Sequence, residues 1–96
     1  MYSFEDAMKS IFAVLSGWQG DKIAQEQIGN YFVSTVETAI HGWETAICKD
    51  NGRLVIAARY ANKEEAEAGH KTWCSFVKIN EPQYIFSPQT ERIEAL

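Results

Sequence analysis

Apolar positions follow two different rhythms along this chain. Between residues 3 and 16 they recur every three to four places, so Phe4, Ala7, Met8, Ile11 and Leu15 share one face of a helix. Ser3 and Asp6 suit its start, and Gly17 its stop. After the turn "GWQGD", Asp21 is placed to cap a short second helix, "KIAQEQI", closed by Gly29-Asn30. From Tyr31 the texture changes. "YFVSTVETAI" is rich in aromatic and β-branched residues, as strands are. "HG" at 41–42 marks a tight connection, "WETAICK" resumes, and "DNG" at 50–52 is the clearest hairpin turn in the chain. "RLVIAARYA" follows as a third strand, so residues 31 to 61 are expected to form a three-stranded antiparallel meander.

Strict alternation in that third strand would put Leu54, Ile56, Ala58 and Tyr60 on one face and Val55, Ala57 and Arg59 on the other. In the second, Trp43, Thr45 and Ile47 oppose Glu44, Ala46 and Cys48. The helical rhythm then returns. Asn62 is an N-cap with Glu65 three residues on, and the helix should run to about Lys78, where "NEP" ends it. "QYIF" reads as a short edge strand and "SPQTERIEAL" as a weakly helical tail.

The expected fold class is therefore α+β: one N-terminal helix or two, the meander, and a long C-terminal helix packed on one sheet face, in the order α-β-β-β-α. Residues 1–96 would form a single domain, with a helical part at 1–29, a sheet-plus-helix core at 30–78 and a tail at 79–96. That element order also occurs in double-stranded-RNA-binding domains, which grip phosphates with lysines at the start of their last helix. Here that position reads "NKEEAEAG", so the binding chemistry is missing, and fold alone confers no function.

Composition narrows the picture. The chain has 96 residues, enough for one modest core that a second copy or a docked tail would help to stabilise. The net charge of -4 argues against a non-specific nucleic-acid binder, which needs a basic face to displace counterions. Cys48 and Cys74 belong to no C-x-x-C pair and read as reduced thiols. No basic leader precedes an apolar stretch, and "IFAVL" is too short to span a bilayer, which points to a cytoplasmic product.

Candidate chemistry is sparse. On the final helix Ala66, His70, Trp73 and Val77 form one stripe, flanked by Gly69 and Phe76 on one side and Cys74 on the other. His70 is thus on the packing face, as a scaffold histidine or as a group at a pocket edge, and Gly69 would let the helix approach the sheet closely. Arg59 is either the cross-strand partner of Glu44 or Glu37, or an anion-binding group beside aromatic rings. His41, His70, Cys48 and Cys74 lack zinc-site spacing and would converge only through folding, so neither metal nor cofactor is expected. Phosphate loops and nucleophile elbows are absent, and nothing argues for an enzyme. The candidate binding residues are Arg59, Tyr60, His70, Trp43 and Glu44.

"VSTV" (33–36), "WETA" (43–46) and "RYANKEEAEAGH" (59–70) together resemble a set of small proteins encoded by bacteriophages and prophages. Those share VSTV, a variable loop, ETMVF and RY-x-x-x-EEA-x-x-GH. The resemblance covers residues 30 to 78. The chain departs from it where "ETAIC" replaces ETMVF and in a shorter loop at His41-Gly42. What the resemblance implies is a phage context in a bacterial host cell, not an activity. The expected function is an accessory protein that inhibits or modulates a host or defence protein by binding it. Its surface would be one face of the sheet or an aromatic patch including Trp18, Trp43 or Tyr84, and a free strand edge could pair with a second copy to give a homo-oligomer. The alternatives are a protein that sequesters a small nucleotide signal, with Arg59 and His70 lining the pocket, and a structural phage protein.

Overall fold

A computed structural model describes residues 22–38 and 41–96. The helix expected at 3–16 lies outside the described residues. Within them the order is four strands, one helix and two strands: β1 (Lys22–Ile28), β2 (Tyr31–Thr38), β3 (Gly42–Lys49), β4 (Val55–Tyr60), α1 (Lys63–Asn80), β5 (Tyr84–Ser87) and β6 (Arg92–Ala95). The first four pair antiparallel in sequence order, and β5 and β6 form a separate two-stranded sheet. The molecule is α+β and mostly sheet. The expected α-β-β-β-α order is wrong at both ends.

The N-terminal error is "KIAQEQI", which is a strand and not a helix. Gly29-Asn30 does not end a helix; it is the two-residue loop of a hairpin that pairs Ile28 with Tyr31. Gly29 has φ +59°, and glycine at the first central position is the type II′ arrangement that follows strand twist. At the C-terminus the tail is β6, joined to β5 by a four-residue loop in which Glu91 adopts φ 57° and its N–H donates to Ser87 O at 2.8 Å. Position 87–88 ends a strand where a helix start was expected.

The three expected strands do pair as a meander, but within a four-stranded sheet and with two further differences. In the β3–β4 loop the residues with positive φ are Asp50 (54°) and Asn51 (57°), one position earlier than an Asn-Gly centre would give. Gly52 donates to Lys49 O at 2.9 Å, and a Cβ there would approach that same oxygen to 2.9 Å. The second difference is a bulge. Thr45 pairs with Ala58 but Ala46 with Ile56, leaving Ala57 as an extra residue in β4. A bulge resets the two-residue alternation. Val55, Ala57 and Tyr60 thereby serve the helix side, while Ile56 and Arg59 serve the other.

α1 packs across the helix-side face of all four strands. Asn62 Oδ1 accepts from Glu65 N at 2.8 Å, so the expected N-cap is in place. The helix runs to Asn80, two residues further than the pattern gave. Glu81, at φ 44°, closes it by donating to Val77 O. Beneath α1 lies the main core of Tyr31, Val33, Ile47, Val55, Ala57, Val77 and Ile85. Tyr31 also donates its hydroxyl to Pro82 O at 2.7 Å, tying the sheet to the turn after the helix. On the opposite face Phe32, Val36, Ala46, Cys48 and Ile56 are buried as well. Burial of both faces explains why β2 reads as a continuous run rather than an alternation.

Candidate functional site

The sheet divides the candidate residues between its two faces. Glu44 and Arg59 are register partners on the face opposite α1, and Arg59 Nε donates to Glu44 Oε2 at 2.7 Å. The Glu44 side chain is 2% exposed. The guanidinium therefore compensates a buried carboxylate. It is not on the same side of the sheet as His70, and these groups do not line one pocket. Trp43 and Tyr60 are cross-strand neighbours, both half-buried.

His70 is buried under α1 and is the centre of a polar chain that crosses the whole sheet. Its Nδ1 lies 2.7 Å from Thr35 Oγ1 on β2, Thr35 Oγ1 lies 2.6 Å from Thr45 Oγ1 on β3, and Thr45 Oγ1 lies 2.9 Å from the Tyr60 hydroxyl on β4. On the other side of the ring, His70 Nε2 lies 3.3 Å from Glu26 Oε1 on β1 and 3.5 Å from Cys74 Sγ one helical turn on. Thr35 and Thr45 are fully buried, so these hydroxyls meet their hydrogen-bonding needs within the chain.

The proton positions follow from satisfaction. With Tyr60 donating to Thr45, Thr45 to Thr35 and Thr35 to Nδ1, the ring carries its proton on Nε2 and donates it to Glu26. With the hydroxyls reversed, Nδ1–H donates to Thr35 and the Nε2 lone pair faces Glu26 and Cys74. Hydroxyl rotors permit either. Burial lowers the His70 pKa against the raising effect of Glu26. Burial, and then Glu26, pushes the Cys74 thiol up to about 12. Near neutral pH the imidazole is therefore neutral and the thiol protonated. A shallow cleft of about 210 Å³, lined by Ala24, Glu26, Glu67, His70 and Lys71, opens the site to solvent.

Gly69 is what lets the helix sit this low. A Cβ at that position would come within 3.0 Å of the Tyr60 ring and hydroxyl. Tyr60 thus packs on the bare backbone of α1 while its hydroxyl reaches Thr45. The close approach expected of Gly69 is present, and its partner is a specific side chain.

Glu26 is the site residue that sequence reasoning missed. It was assigned to a helix, where it would not have faced His70. The available signal was Gly29-Asn30, a hairpin dipeptide, which makes the preceding segment a strand. Cys48 and Cys74 lie on opposite sides of the sheet and are free thiols.

No protein-family model, curated protein or solved structure matches the chain. Among the described residues no helix is long and apolar enough to cross a membrane.

Proposed function

We propose that this protein is a small phage-encoded accessory factor that works by binding a bacterial host or defence protein through its C-terminal hairpin. One observation supports the reading above the others. Tyr84 and Phe86 on β5 and Ile93 on β6 are 64%, 54% and 66% exposed. Phe86 pairs with Ile93, and Tyr84 is two residues from Phe86, so the three share one face. The other face of the hairpin is anchored by Ile85 and Leu96 on the main core and by Glu94, which accepts from Arg53 in the β3–β4 loop. The result is a rigidly seated ribbon that presents aromatic and β-branched side chains to solvent. Binding surfaces are enriched in aromatic anchors of this kind.

Of the aromatic residues expected to form such a patch, Tyr84 is exposed, Trp43 is half-buried beside Tyr60, and Trp18 lies outside the described residues. The phage context rests on the VSTV, WETA and RYANKEEAEAGH segments. The test is co-purification from host cells with the chain and with Phe86→Ser/Ile93→Ser. The expected result is a stoichiometric partner that the double variant loses while its melting temperature is kept. A partner retained by the folded double variant would refute the assignment of the surface. Size-exclusion chromatography with light scattering on the chain alone separates self-association from capture of a partner.

A further inference from the structure

Glu26, His70 and Cys74 take no part in the proposed binding face of Tyr84, Phe86 and Ile93. Their donor atoms all lie within 4.8 Å of one another. His70 Nε2 is common to both measured edges, at 3.3 Å to the carboxylate oxygen and 3.5 Å to the thiol sulfur. A tetrahedral ion with metal–nitrogen and metal–oxygen bonds of about 2.1 Å and a metal–sulfur bond of about 2.3 Å requires edges of roughly 3.4 and 3.6 Å. These two edges therefore match the edges of a tetrahedral site.

The donor set selects the ion. Imidazole nitrogen and thiolate sulfur disfavour calcium and magnesium, which take oxygen ligands, and suit zinc and its neighbours in the first transition row. One carboxylate and one thiolate balance a divalent charge. The surroundings are also those of a ligand histidine. Its remote nitrogen Nδ1 is held by Thr35 at 2.7 Å, and the Thr35–Thr45–Tyr60 hydroxyls can reverse together so that Nδ1–H donates and Nε2 is bare. The cleft lined by Glu67 and Lys71 gives an ion a way in and leaves the fourth position open to water.

We propose that Glu26, His70 and Cys74 form a binding site for a zinc-class divalent transition-metal ion, with its fourth position facing that cleft. Binding replaces the Cys74 thiol proton, which leaves to solvent. The ion would join β1 to α1.

The test uses the full chain, stripped with a chelator and titrated with Co²⁺ and then Zn²⁺. The expected result is one Co²⁺ per chain with a sulfur-to-cobalt charge-transfer band, which Zn²⁺ displaces. The melting temperature should rise with metal concentration by mass action. Cys74→Ser should abolish the band, and Cys48→Ser, on the other face of the sheet, should leave it intact. Glu26→Gln should weaken binding by at least about 10-fold, by analogy with the 10–100-fold losses seen when metal-site partners are removed. Because the Glu26 side chain is 53% exposed, that variant keeps the fold and carries the test even where Cys74→Ser does not fold. Absence of a thiolate band from the folded wild-type chain would overturn the proposal. So would a band that survives Cys74→Ser, or unchanged affinity in Glu26→Gln.

Discussion

Replacing Gly69 by alanine should destabilise the protein, although it is a glycine-to-alanine change inside a helix. Helix propensity alone favours the substitution by about 1 kcal/mol. Against that stands the Tyr60 ring. The new Cβ would fall within 3.0 Å of two ring carbons and the hydroxyl, so the ring or the helix must shift. Either α1 lifts from the sheet or Tyr60 leaves its seat. Lifting the helix loosens Ala66, His70 and Val77, which are all buried. Moving Tyr60 breaks its 2.9 Å bond to Thr45, whose hydroxyl is fully buried. Overpacking costs about 1–3 kcal/mol and the lost hydrogen bond about 1. The net loss is about 1–3 kcal/mol, and in a domain of this size each kcal/mol lowers the melting temperature by about 4–8 °C. Calorimetry or thermal circular dichroism reads the change. The decisive comparison is the same substitution in a Tyr60→Ala background, where the obstruction is gone. There Gly69→Ala should be neutral or stabilising by up to about 1 kcal/mol. A wild-type background in which Gly69→Ala raises the melting temperature, or a double variant that is worse than additive, would refute the reasoning.

Three further outcomes follow from other contacts. Arg59→Met removes a charged partner of a buried carboxylate and should cost about 3 kcal/mol, measured by urea unfolding, with much of it recovered in Glu44→Gln/Arg59→Met. Thr45→Val cuts the hydroxyl chain in the middle and should cost about 1–3 kcal/mol, with an unchanged far-ultraviolet spectrum. The Glu94 carboxyl is held below its ordinary value of 4.5 by the Thr90 hydroxyl, and by Arg53 and Arg92, against an opposing effect of burial. A depressed carboxyl contributes stability that is present above the unfolded value and lost as pH falls through the folded one. Unfolding midpoints measured from pH 6 downward should therefore decline below about pH 4.5, and the decline should be shallower in Glu94→Gln.

The middle of the chain was legible and its two ends were not, for a physical reason. The meander and α1 carry strong local signals: a hairpin turn at Asp50-Asn51-Gly52, a cap at Asn62 with Glu65, and a helical stripe through Ala66, His70 and Val77. Each is a short-range arrangement that the sequence specifies directly. β1 and β6 carry weak ones. "KIAQEQI" is half polar and rich in helix-forming residues, and only its pairing with β2 makes it a strand, as tertiary context overrides propensity. β6 is four residues long and exists as the partner of β5. The alternation in β4 misled for a different reason, since a single extra residue at Ala57 reverses every later assignment. Two-fold patterning cannot reveal a bulge that lies within an unbroken apolar run.

The candidate site was half legible for the same cause. His70, Gly69 and Cys74 were placed on or beside the buried stripe from helical spacing, and Glu44 was named among the partners of Arg59. Glu26 was invisible because β1 was misassigned, and so was any convergence of ligands. The segments "VSTV", "WETA" and "RYANKEEAEAGH" also touch one another in the fold. Thr35 of "VSTV" bonds Thr45 of "WETA" and His70 of "RYANKEEAEAGH", Glu44 pairs with Arg59, Thr45 bonds Tyr60, and Tyr60 rests on Gly69. All but the Tyr60–Gly69 contact join different segments. A pattern built from mutual contacts is what a fold needs to seat one helix on one sheet. These contacts seat α1 on the sheet, and neither Glu26 nor the outer face of the β5–β6 hairpin takes part in them.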